Sequence, residues 1–501
     1  MNPLQPQAED GSRGETPFAI AVTAAFALVS GAVMTRHEMW SDELQAWMIS
    51  RDATGLVSLW HNLRYEGHPG LWHLLLFILS RFTRNPAAMQ GLHLALAVAG
   101  IFIFVRFARL PRLHRILYAF GFFPLYQYAV VSRCYMLGVL LVMGYCALVT
   151  TRRHTGALGA TLLALLANTS VYGWLLAFSL GIVLLAPEAF RAPFTWRRLT
   201  PVAVFVGGLA VAMVTMHPPA DSGVGVVRAG LMSGHVLWSW DLAGQALRQA
   251  GATYLSPSLP VPAGVAIAVL VVGAAYFVLA FARQGAALAV YLTSLVGMLA
   301  FKCVVYMGAP WHNGHFLIAL VASWWLYAAL PQHALRSRRL DAVSRACKWA
   351  LPAVMAVSLG LHVASVRHIL VQDWREPYSG GQSVAQFIAS GEFRDADVLG
   401  DADAALSSVC GYLDRPVYYL TSETWGTFVT WNDKRRPIEG DQDELIERVR
   451  RAPIRGPRGA LVLDYELTPA ATTALDARLV YISPPAICAA ERFWVYDLPR
   501  P

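Results

Sequence analysis

Residues 17–35 read PFAIAVTAAFALVSGAVMT, a stretch without a single charged side chain. An apolar run of this length forms a helix that can cross a hydrocarbon core of about 30 Å. The run is long for a signal-peptide core and lacks a cleavage site with small residues, so it predicts a retained first transmembrane helix. The polar residues 1–16 before it are then a cytoplasmic N-terminal tail.

The composition of the whole chain is that of a membrane protein. Of its 501 residues 56% are apolar and 14% are charged, and the mean hydropathy is +0.44. Soluble chains carry roughly a quarter charged residues. The composition therefore excludes a disordered chain, a collagen-like fibre and an ordinary cytosolic enzyme. The net charge of +8 comes from arginines in short loops between apolar runs, so no nucleic-acid partner is expected.

Ten further apolar runs give a total of about eleven predicted transmembrane helices. These runs are 86–105, 116–131, 135–150, 156–168, 172–188, 200–216, 261–281, 286–305, 316–331 and 350–368. Residues 71–82 are apolar but short for a span, so they predict a re-entrant or interfacial helix, with a short tilted span as the alternative. Arginine is concentrated in four loops, at 106–115, 152–153, 191–198 and 336–348. With the N-terminus inside, all four loops face the cytoplasm, as the positive-inside rule requires.

Residues 371–501 have a different composition, with frequent charges and no long apolar run. Strands are predicted at 460–465, 478–483 and 493–498, and helices near 381–390 and 441–451. The fold class is therefore an α-helical polytopic membrane protein, with a membrane domain over 17–370 and a small C-terminal extracytoplasmic α/β domain over 371–501. Cys410 and Cys488 either form a disulfide there or are unrelated buried thiols.

The first external loop, residues 36–85, contains two predicted amphipathic helices. WSDELQAWMISRD (40–52) predicts a helix with Ser41 as its N-cap and with Leu44, Trp47 and Met48 on one face. LVSLWHNL (56–63) predicts a second helix of the same kind. Both helices are expected to lie in the membrane interface, with their tryptophans among the lipid headgroups.

Asp42 and Glu43 are at the start of the first of these helices, on the outer surface. One interpretation is that the two carboxylates only complement the helix dipole. The other is that one of them is a general base, because partial desolvation at the membrane edge raises the proton affinity of a carboxylate.

Other polar residues are predicted on the same side of the membrane. They are Glu66 and His68 in RYEGHPGLWH (64–73), Arg133 in VSRCYMLG (131–138), and His312 and His315 in GAPWHNGHF (308–316). The arginine could extend to lipid headgroups, and the histidines could be ordinary polar residues near an interface. Taken together, carboxylates, an arginine and imidazoles on one face suit transfer from a lipid phosphate. A base would deprotonate the acceptor, and cations would stabilise the departing phosphate.

The order of these features resembles the GT-C superfamily of integral-membrane glycosyltransferases, which use polyprenyl-phosphate-linked sugars and include protein O-mannosyltransferases and aminoarabinose transferases. A first span is followed by an external Asp-Glu pair, Asp42 and Glu43. A His-Pro motif then opens an apolar segment, HPGLWHLLL, where relatives usually show His-Pro-Pro. An Arg-x-Tyr-x-Leu element, with Arg133 and Tyr135, comes next. The similarity covers roughly 17–150 well and 300–330 loosely.

The resemblance implies direct displacement at the anomeric carbon with inversion and release of polyprenyl phosphate. Asp42 would be the catalytic base, Glu43 would orient the acceptor or a metal, and Arg133 would bind the donor phosphate. The further candidates are His68, His312 and His315 for donor or phosphate contacts, and Glu66 and Tyr135 for acceptor or metal contacts. A divalent cation bound by carboxylate oxygens stays open, because no spacing in the sequence requires it.

Two other functions remain open, a transporter or flippase for a lipid-linked glycan and a non-catalytic glycan-binding membrane protein. A transporter would carry ionisable residues inside its spans, whereas these spans are nearly free of charge apart from Lys302 near an outer end. A non-catalytic member would have lost the Asp-Glu pair, which is present. The expected location is a bacterial plasma (inner) membrane. The expected partners are the donor lipid, membrane lipids and a glycan, lipid or protein acceptor.

Overall fold

The computed structural model describes residues 14–151, 156–185, 196–223, 239–255, 257, 260–438 and 440–498. The first part of the chain is helical. Its helices are α1 (Glu15–Met34), α2 (Ser41–Arg51), α3 (Leu56–Leu63), α4 (Leu71–Leu79), α5 (Ala87–Phe107), α6 (Arg112–Ala119), α7 (Tyr135–Thr151), α8 (Gly156–Ala167), α9 (Val171–Leu180), α10 (Trp196–Met216), α11 (Trp240–Thr253), α12 (Ala263–Phe281), α13 (Gly285–Val304), α14 (Gly314–Ala329) and α15 (Arg338–Arg375).

Within the described ranges, six helices are long and apolar enough to cross a membrane. They are α1, α5, α10, α12, α13 and α15. Three shorter apolar segments, α7, α8 and α9 with its continuation to Leu185, add to the bundle. The helical membrane fold predicted from the apolar runs is confirmed, although the segments differ in length from the predicted spans.

The predicted span 116–131 does not form one helix. Helix α6 ends at Ala119, and a π-helical segment, Phe122–Gln127, follows it. Gly121 lies between the two, where a Cβ atom would come 3.3 Å from the Cβ atom of His362 in α15. Pro124 also lacks the backbone N–H that a regular helix uses. The break therefore follows from a glycine pressed against another helix and a proline just after it.

The predicted span 350–368 is part of the much longer helix α15. This helix has 38 residues, which corresponds to about 57 Å at 1.5 Å per residue and exceeds the hydrocarbon thickness. Its C-terminal end brings Asp373 to the first external loop. The predicted domain boundary at residue 371 consequently falls inside the last turns of this helix.

The N-terminal end of α1 lies beside the first arginine-rich loop. Glu15 forms ion pairs with Arg112 at 3.1 Å and Arg115 at 2.6 Å, and Arg106 donates to Thr16 at 2.9 Å. The start of α1 and this loop are therefore at the same end of the bundle, as the positive-inside interpretation requires. Residues 152–153 and 191–195 of two other arginine clusters lie outside the described residues.

The apolar face of helix α2 is covered by protein and not exposed to lipid headgroups, contrary to the prediction. Leu44, Trp47 and Met48 are fully buried, because α2 packs between α4 and the C-terminal domain. Its N-cap is Trp40 rather than Ser41, and the Glu43 carboxylate accepts a hydrogen bond from the Trp40 backbone at 3.3 Å. Helix α3 does keep an exposed apolar face, with Val57 84% exposed, as an interfacial helix would.

The C-terminal part is an α/β domain, as predicted. Its elements are α16 (Gly381–Ala389), β1 (Asp397–Gly400), α17 (Asp403–Leu413), β2 (Val417–Tyr419), β3 (Thr424–Gly426), α18 (Gln442–Arg451), β4 (Gly459–Leu463), α19 (Pro469–Ala474), β5 (Arg478–Ile482) and β6 (Trp494–Leu498). The sheet order is β3-β2-β1-β4-β6-β5, with β1 parallel to β2 and β4 and the other pairs antiparallel. The predicted strands correspond to β4, β5 and β6.

The two faces of this sheet belong to different cores. Val398 and Val462 join the core that continues into the membrane domain, whereas their neighbours Leu399 and Leu461 pack with Leu445 of α18. This alternation follows from the two-residue period of a strand. All six cysteines, including Cys410 and Cys488, are free thiols, so the disulfide considered from the sequence is not formed.

Candidate active site

An ion pair between Asp42 and Arg133 forms the centre of the candidate site. An Nη atom of Arg133 donates to Asp42 Oδ2 at 2.5 Å. Asp42 is in the first turn of α2, and Arg133 lies just before α7. The Asp42 side chain is 33% exposed and that of Arg133 is 12% exposed, so the carboxylate can be reached from outside.

Two aromatic rings position the Arg133 guanidinium. Its Cζ atom lies 5.2 Å from the ring centroid of Tyr135 and 5.2 Å from that of Trp311. A guanidinium at this distance from ring faces is attracted by their π electrons. The Arg-x-Tyr spacing singled out in the sequence therefore has a physical meaning, since Tyr135 supports the arginine two residues before it.

His312 is held as a neutral ring that orients Tyr135. Its Nδ1 atom accepts the backbone N–H of Ala309 at 2.7 Å, so Nε2 carries the proton and donates to the Tyr135 hydroxyl at 2.8 Å. Burial lowers the pKa of His312, and the charge of Arg133 adds to this effect. The Tyr172 ring stacks on both His312 and His315, with centroids at 5.1 and 4.9 Å. His315 donates from Nδ1 to the His312 carbonyl at 2.9 Å.

The loop before His312 requires glycine at position 308. Gly308 has a φ of +74°, a conformation that other residues rarely adopt. A Cβ atom there would also lie 2.9 Å from the Tyr172 hydroxyl and 3.0 Å from Nδ1 of His312. The glycine thus lets the backbone approach the aromatic cluster.

Glu43, unlike Asp42, is completely enclosed by protein. Its Oε1 accepts from the backbone N–H of Ser132 at 2.6 Å, and its Oε2 lies 3.0 Å from Nε2 of His37. His37 contacts Asp373 of α15 through Nδ1 at 2.8 Å. Glu43 therefore joins three segments of chain next to Asp42 and Arg133. This arrangement fits a residue that positions the site. It fits a residue that contacts a substrate or a metal less well.

The His37 imidazole lies between two carboxylates. The free energy of unfolding of the protein therefore depends on pH. Burial alone would lower the pKa of His37, but the charges of Glu43 and Asp373 outweigh it and raise the pKa from 6.5 to about 10. A raised pKa in the folded state contributes stability below the unfolded value of 6.5, and this contribution is lost as the pH rises through 10. We expect the difference in melting temperature between wild type and His37→Gln to be largest near pH 6 and to shrink towards pH 10.

Melting curves of detergent-solubilised protein from pH 6 to 10 measure this difference. His61→Gln is the control, because His61 is an exposed histidine of α3. Its curve should run parallel to that of the wild type. If the His37→Gln curve also ran parallel to wild type over this whole range, the charged triad would not exist in the folded protein.

Glu66 and His68 are also close to the ion pair. Glu66 Oε1 accepts from the Gln45 amide at 2.9 Å. Burial raises the pKa of Glu66 to about 7, against the effect of that hydrogen bond and with a further rise from the charge of Asp42. Burial also lowers the pKa of His68 to about 4, and Arg133 adds to that shift. The predicted site residues thus lie around the Asp42–Arg133 pair, with Glu43 enclosed behind it and His315 in contact with His312 and Tyr135.

The three carboxylates do not converge on one cation site. No group of three or more His, Cys, Asp or Glu side chains is placed to hold a metal ion within the described ranges. Glu43 is turned towards His37 and Ser132, while Asp42 and Glu66 accept hydrogen bonds from Arg133 and Gln45. The arrangement does not fit the three-carboxylate cation site considered from the sequence.

The C-terminal domain contributes contacts that the sequence did not indicate. The Gln45 amide donates to the Val429 carbonyl at 2.7 Å and accepts from the Val429 backbone N–H at 3.0 Å. Ser407 also donates to Gln45 Oε1 at 3.1 Å, and the Trp431 side chain hydrogen-bonds to Glu66. These partners are more than 300 residues apart in sequence, so no local pattern could reveal them.

Comparisons with solved structures show that the chain has a known fold. No protein-family model matches the chain. No curated protein sequence matches it either. ArnT from Cupriavidus metallidurans in the apo state matches with a TM-score of 0.55 at 13% identity, covering 98% of this chain and 100% of that chain. A structure of ArnT from Cupriavidus metallidurans bound to undecaprenyl phosphate has a TM-score of 0.49 at 12% identity, with coverages of 97% and 99%.

At such low identity the likeness concerns the fold. It extends over nearly the whole chain and includes both the membrane domain and the C-terminal α/β domain. ArnT is an aminoarabinose transferase of the GT-C type. The chain therefore shares the fold of ArnT, as the order of motifs from the first span to Arg133 and Tyr135 predicted.

Proposed function

We propose that this chain is a membrane glycosyltransferase that moves a sugar from a polyprenyl-phosphate-linked donor to an acceptor outside the cytoplasm. The observation that carries the proposal is the Asp42–Arg133 ion pair, a reachable carboxylate bound to an arginine at one end of a helical bundle. The GT-C fold shared with ArnT, which is an aminoarabinose transferase, supports it.

In this proposal Asp42 is the general base. It takes the proton of an acceptor hydroxyl while that oxygen forms a bond to the anomeric carbon of the sugar. The bond between the anomeric carbon and the phosphate oxygen breaks, and its electron pair leaves with the polyprenyl phosphate. The configuration at the anomeric carbon inverts, because attack and departure take place on opposite faces in a direct displacement.

Arg133 stabilises the charge that this step moves. The carboxylate of Asp42 becomes neutral as it gains the proton, and the departing phosphate gains one negative charge. A guanidinium next to both groups can then exchange its carboxylate partner for phosphate oxygens, which it binds in a planar fork. This stabilisation acts mainly in the transition state, where it increases the rate.

Glu66 and His68 flank this step. Glu66 is next to Asp42 and receives hydrogen bonds from Gln45 and Trp431, so its second oxygen can accept a hydrogen bond from a sugar or acceptor hydroxyl. The Nδ1 atom of His68 has no protein partner among the described residues, which makes it available to the donor phosphate. His312 and His315 act one step further away, by orienting Tyr135 beneath Arg133.

The proposed orientation places the N-terminus in the cytoplasm and the site outside. The ion pairs of Glu15 put the start of α1 beside the arginine-rich loop 106–115, and the positive-inside rule assigns such a loop to the cytoplasm. Asp42 follows the end of α1 that is opposite this loop, and Arg133 is paired with Asp42 there. A bacterial inner membrane, with its outward-facing polyprenyl lipids, suits this arrangement.

Release of polyprenyl phosphate tests the proposal. Purified full-length protein in nanodiscs would be incubated with a panel of polyprenyl-phosphate sugars and crude envelope fractions as acceptors. We expect release with one or a few sugars, which would also identify the donor. Specific donor binding without release in any combination would contradict the proposal and favour transport or glycan binding.

A further inference from the structure

Lys302 is a buried cation that has no role in the reaction proposed above. It lies in the last turn of α13 and is 2% exposed. Its Nζ atom donates to the Met307 carbonyl and, at 3.0 Å, to Oδ1 of Asn313. Among the described residues no Asp or Glu side chain forms an ion pair with it. Arg133, in contrast, has Asp42 as its counter-charge.

A buried ammonium without a counter-charge is costly. Both acceptors of Lys302 are neutral, so they satisfy two of its three N–H groups but do not compensate its charge. A structural lysine would be expected to have a carboxylate partner or to extend to solvent. An anion brought by a ligand would supply both the missing charge and the third acceptor.

Lys302 lies near Nδ1 of His312, whereas the ion pair lies beyond the Nε2 atom of that ring. Its Nζ atom is 3.4 Å from the point that a Cβ atom at Gly308 would occupy, and Nδ1 of His312 is 3.0 Å from that point. His312 in turn contacts Tyr135, whose ring supports Arg133. The positive charges of Lys302 and Arg133 are both close enough to His312 to lower its pKa. The two cations are thus both close to His312, one on the side of each ring nitrogen.

We propose that Lys302 is a second anion-binding residue of the candidate active site and contacts the phosphate of the polyprenyl phosphate that leaves as product. This assignment rests on the proposed function and deepens it. The donor is a phosphodiester with one negative charge, whereas the released monoester carries about −1.5 to −2 at neutral pH. Arg133 is shared with Asp42, so a second cation matters most when the extra charge appears.

Equilibrium binding tests this assignment without requiring turnover. Full-length protein in phosphatidylcholine nanodiscs would be titrated with polyprenyl phosphate and, separately, with the uncharged polyprenol. Lys302→Gln keeps a hydrogen-bond donor but removes the charge, and we expect it to bind polyprenyl phosphate about 10- to 100-fold more weakly. Binding of polyprenol should not change, and Lys302→Arg should restore most of the affinity.

Lys348→Gln is the matched control, because Lys348 is an exposed lysine of α15 that donates to Gln332 at 3.0 Å. It should bind both lipids as the wild type does. Competition by inorganic phosphate and by phosphatidylglycerol separates the possible sources of the anion. We expect neither to displace polyprenyl phosphate at comparable concentration, and efficient displacement by either one would overturn the assignment.

The outcomes separate this assignment from the proposed function. Equal affinity of the wild type for polyprenyl phosphate and polyprenol would contradict both. A wild-type preference for the phosphate that Lys302→Gln retains would overturn the role of Lys302 alone. If Lys302→Gln did not fold, as judged by gel filtration and melting, Lys302→Met and Lys302→Arg would give the same comparison between a neutral and a charged side chain.

Discussion

Asp42→Asn should keep the fold, and its rate of sugar transfer should fall by about 100- to 10,000-fold. This is the range that a general base contributes. An asparagine has the shape of the aspartate and still accepts a hydrogen bond from Arg133. It cannot take a proton from the acceptor hydroxyl. The fold should persist, because the side chain is one-third exposed and water can replace part of its interaction. The loss should therefore appear in kcat, with donor binding largely unchanged.

Asp241→Asn provides the control for the helix dipole. Asp241 is an exposed first-turn aspartate of α11, as Asp42 is a first-turn aspartate of α2. Removing its charge has the same effect on a helix dipole but should leave transfer unchanged. Equal rates for Asp42→Asn and wild type, measured as released polyprenyl phosphate, would move the base to another group, with Glu66 as the next candidate.

Local periodicity was enough to predict most helices and several strands. The boundaries of α3 agree with the predicted 56–63, because the apolar residues of this segment repeat with the helical period. Strand β4 overlaps the predicted 460–465 and begins one residue earlier, and β6 lies within the predicted 493–498, where β-branched and aromatic residues are concentrated. Strands β2 and β3 are only three residues long, which is too short for any period to be detected.

The sequence could show that a helix face is apolar but not what covers it. Helix α2 was expected among lipid headgroups, yet Trp47 is buried between α4 and α17. Asp42 and Arg133 could be assigned to one face, because the arginine loops fix the topology. The separate role of Glu43 could not, since its partner Ser132 and the His37–Asp373 contact join distant segments.

The C-terminal domain is closely attached to the candidate catalytic helix. Leu44 of α2 packs against Gly411 of α17, where a Cβ atom would lie 3.0 Å from the leucine side chain. The Ser41 backbone N–H donates to Glu491 at 2.9 Å, and Gln45 is bound at both ends of its amide by Val429. Asp42 is thus on a helix that the C-terminal domain holds in place. The C-terminal domain thereby fixes the helix that carries the proposed base.

Arg133→Gln should reduce kcat by about 100- to 1,000-fold, as expected when a donor to developing negative charge is removed. Glutamine can still approach Asp42 and the rings of Tyr135 and Trp311, but it carries no charge. Arg133→Lys should be intermediate, because lysine keeps the charge and loses the planar fork that binds phosphate and stacks on aromatic rings. Single-turnover release of polyprenyl phosphate from a preformed donor complex measures the effect on the chemical step.

Arg36→Gln is the matched control for Arg133. The Arg36 guanidinium also lies 5.2 Å from a tryptophan ring, that of Trp374. Loss of this cation–π contact alone should leave release unchanged. Equal losses in both variants would mean that the arginines act through packing or through attraction of lipid headgroups. A large loss of release in Arg133→Gln, a smaller loss in Arg133→Lys and none in Arg36→Gln would show that a positive charge is needed beside Asp42 when the phosphate leaves. That result would separate a glycosyltransferase from a protein that only binds the same lipid, because binding alone moves no charge to the phosphate.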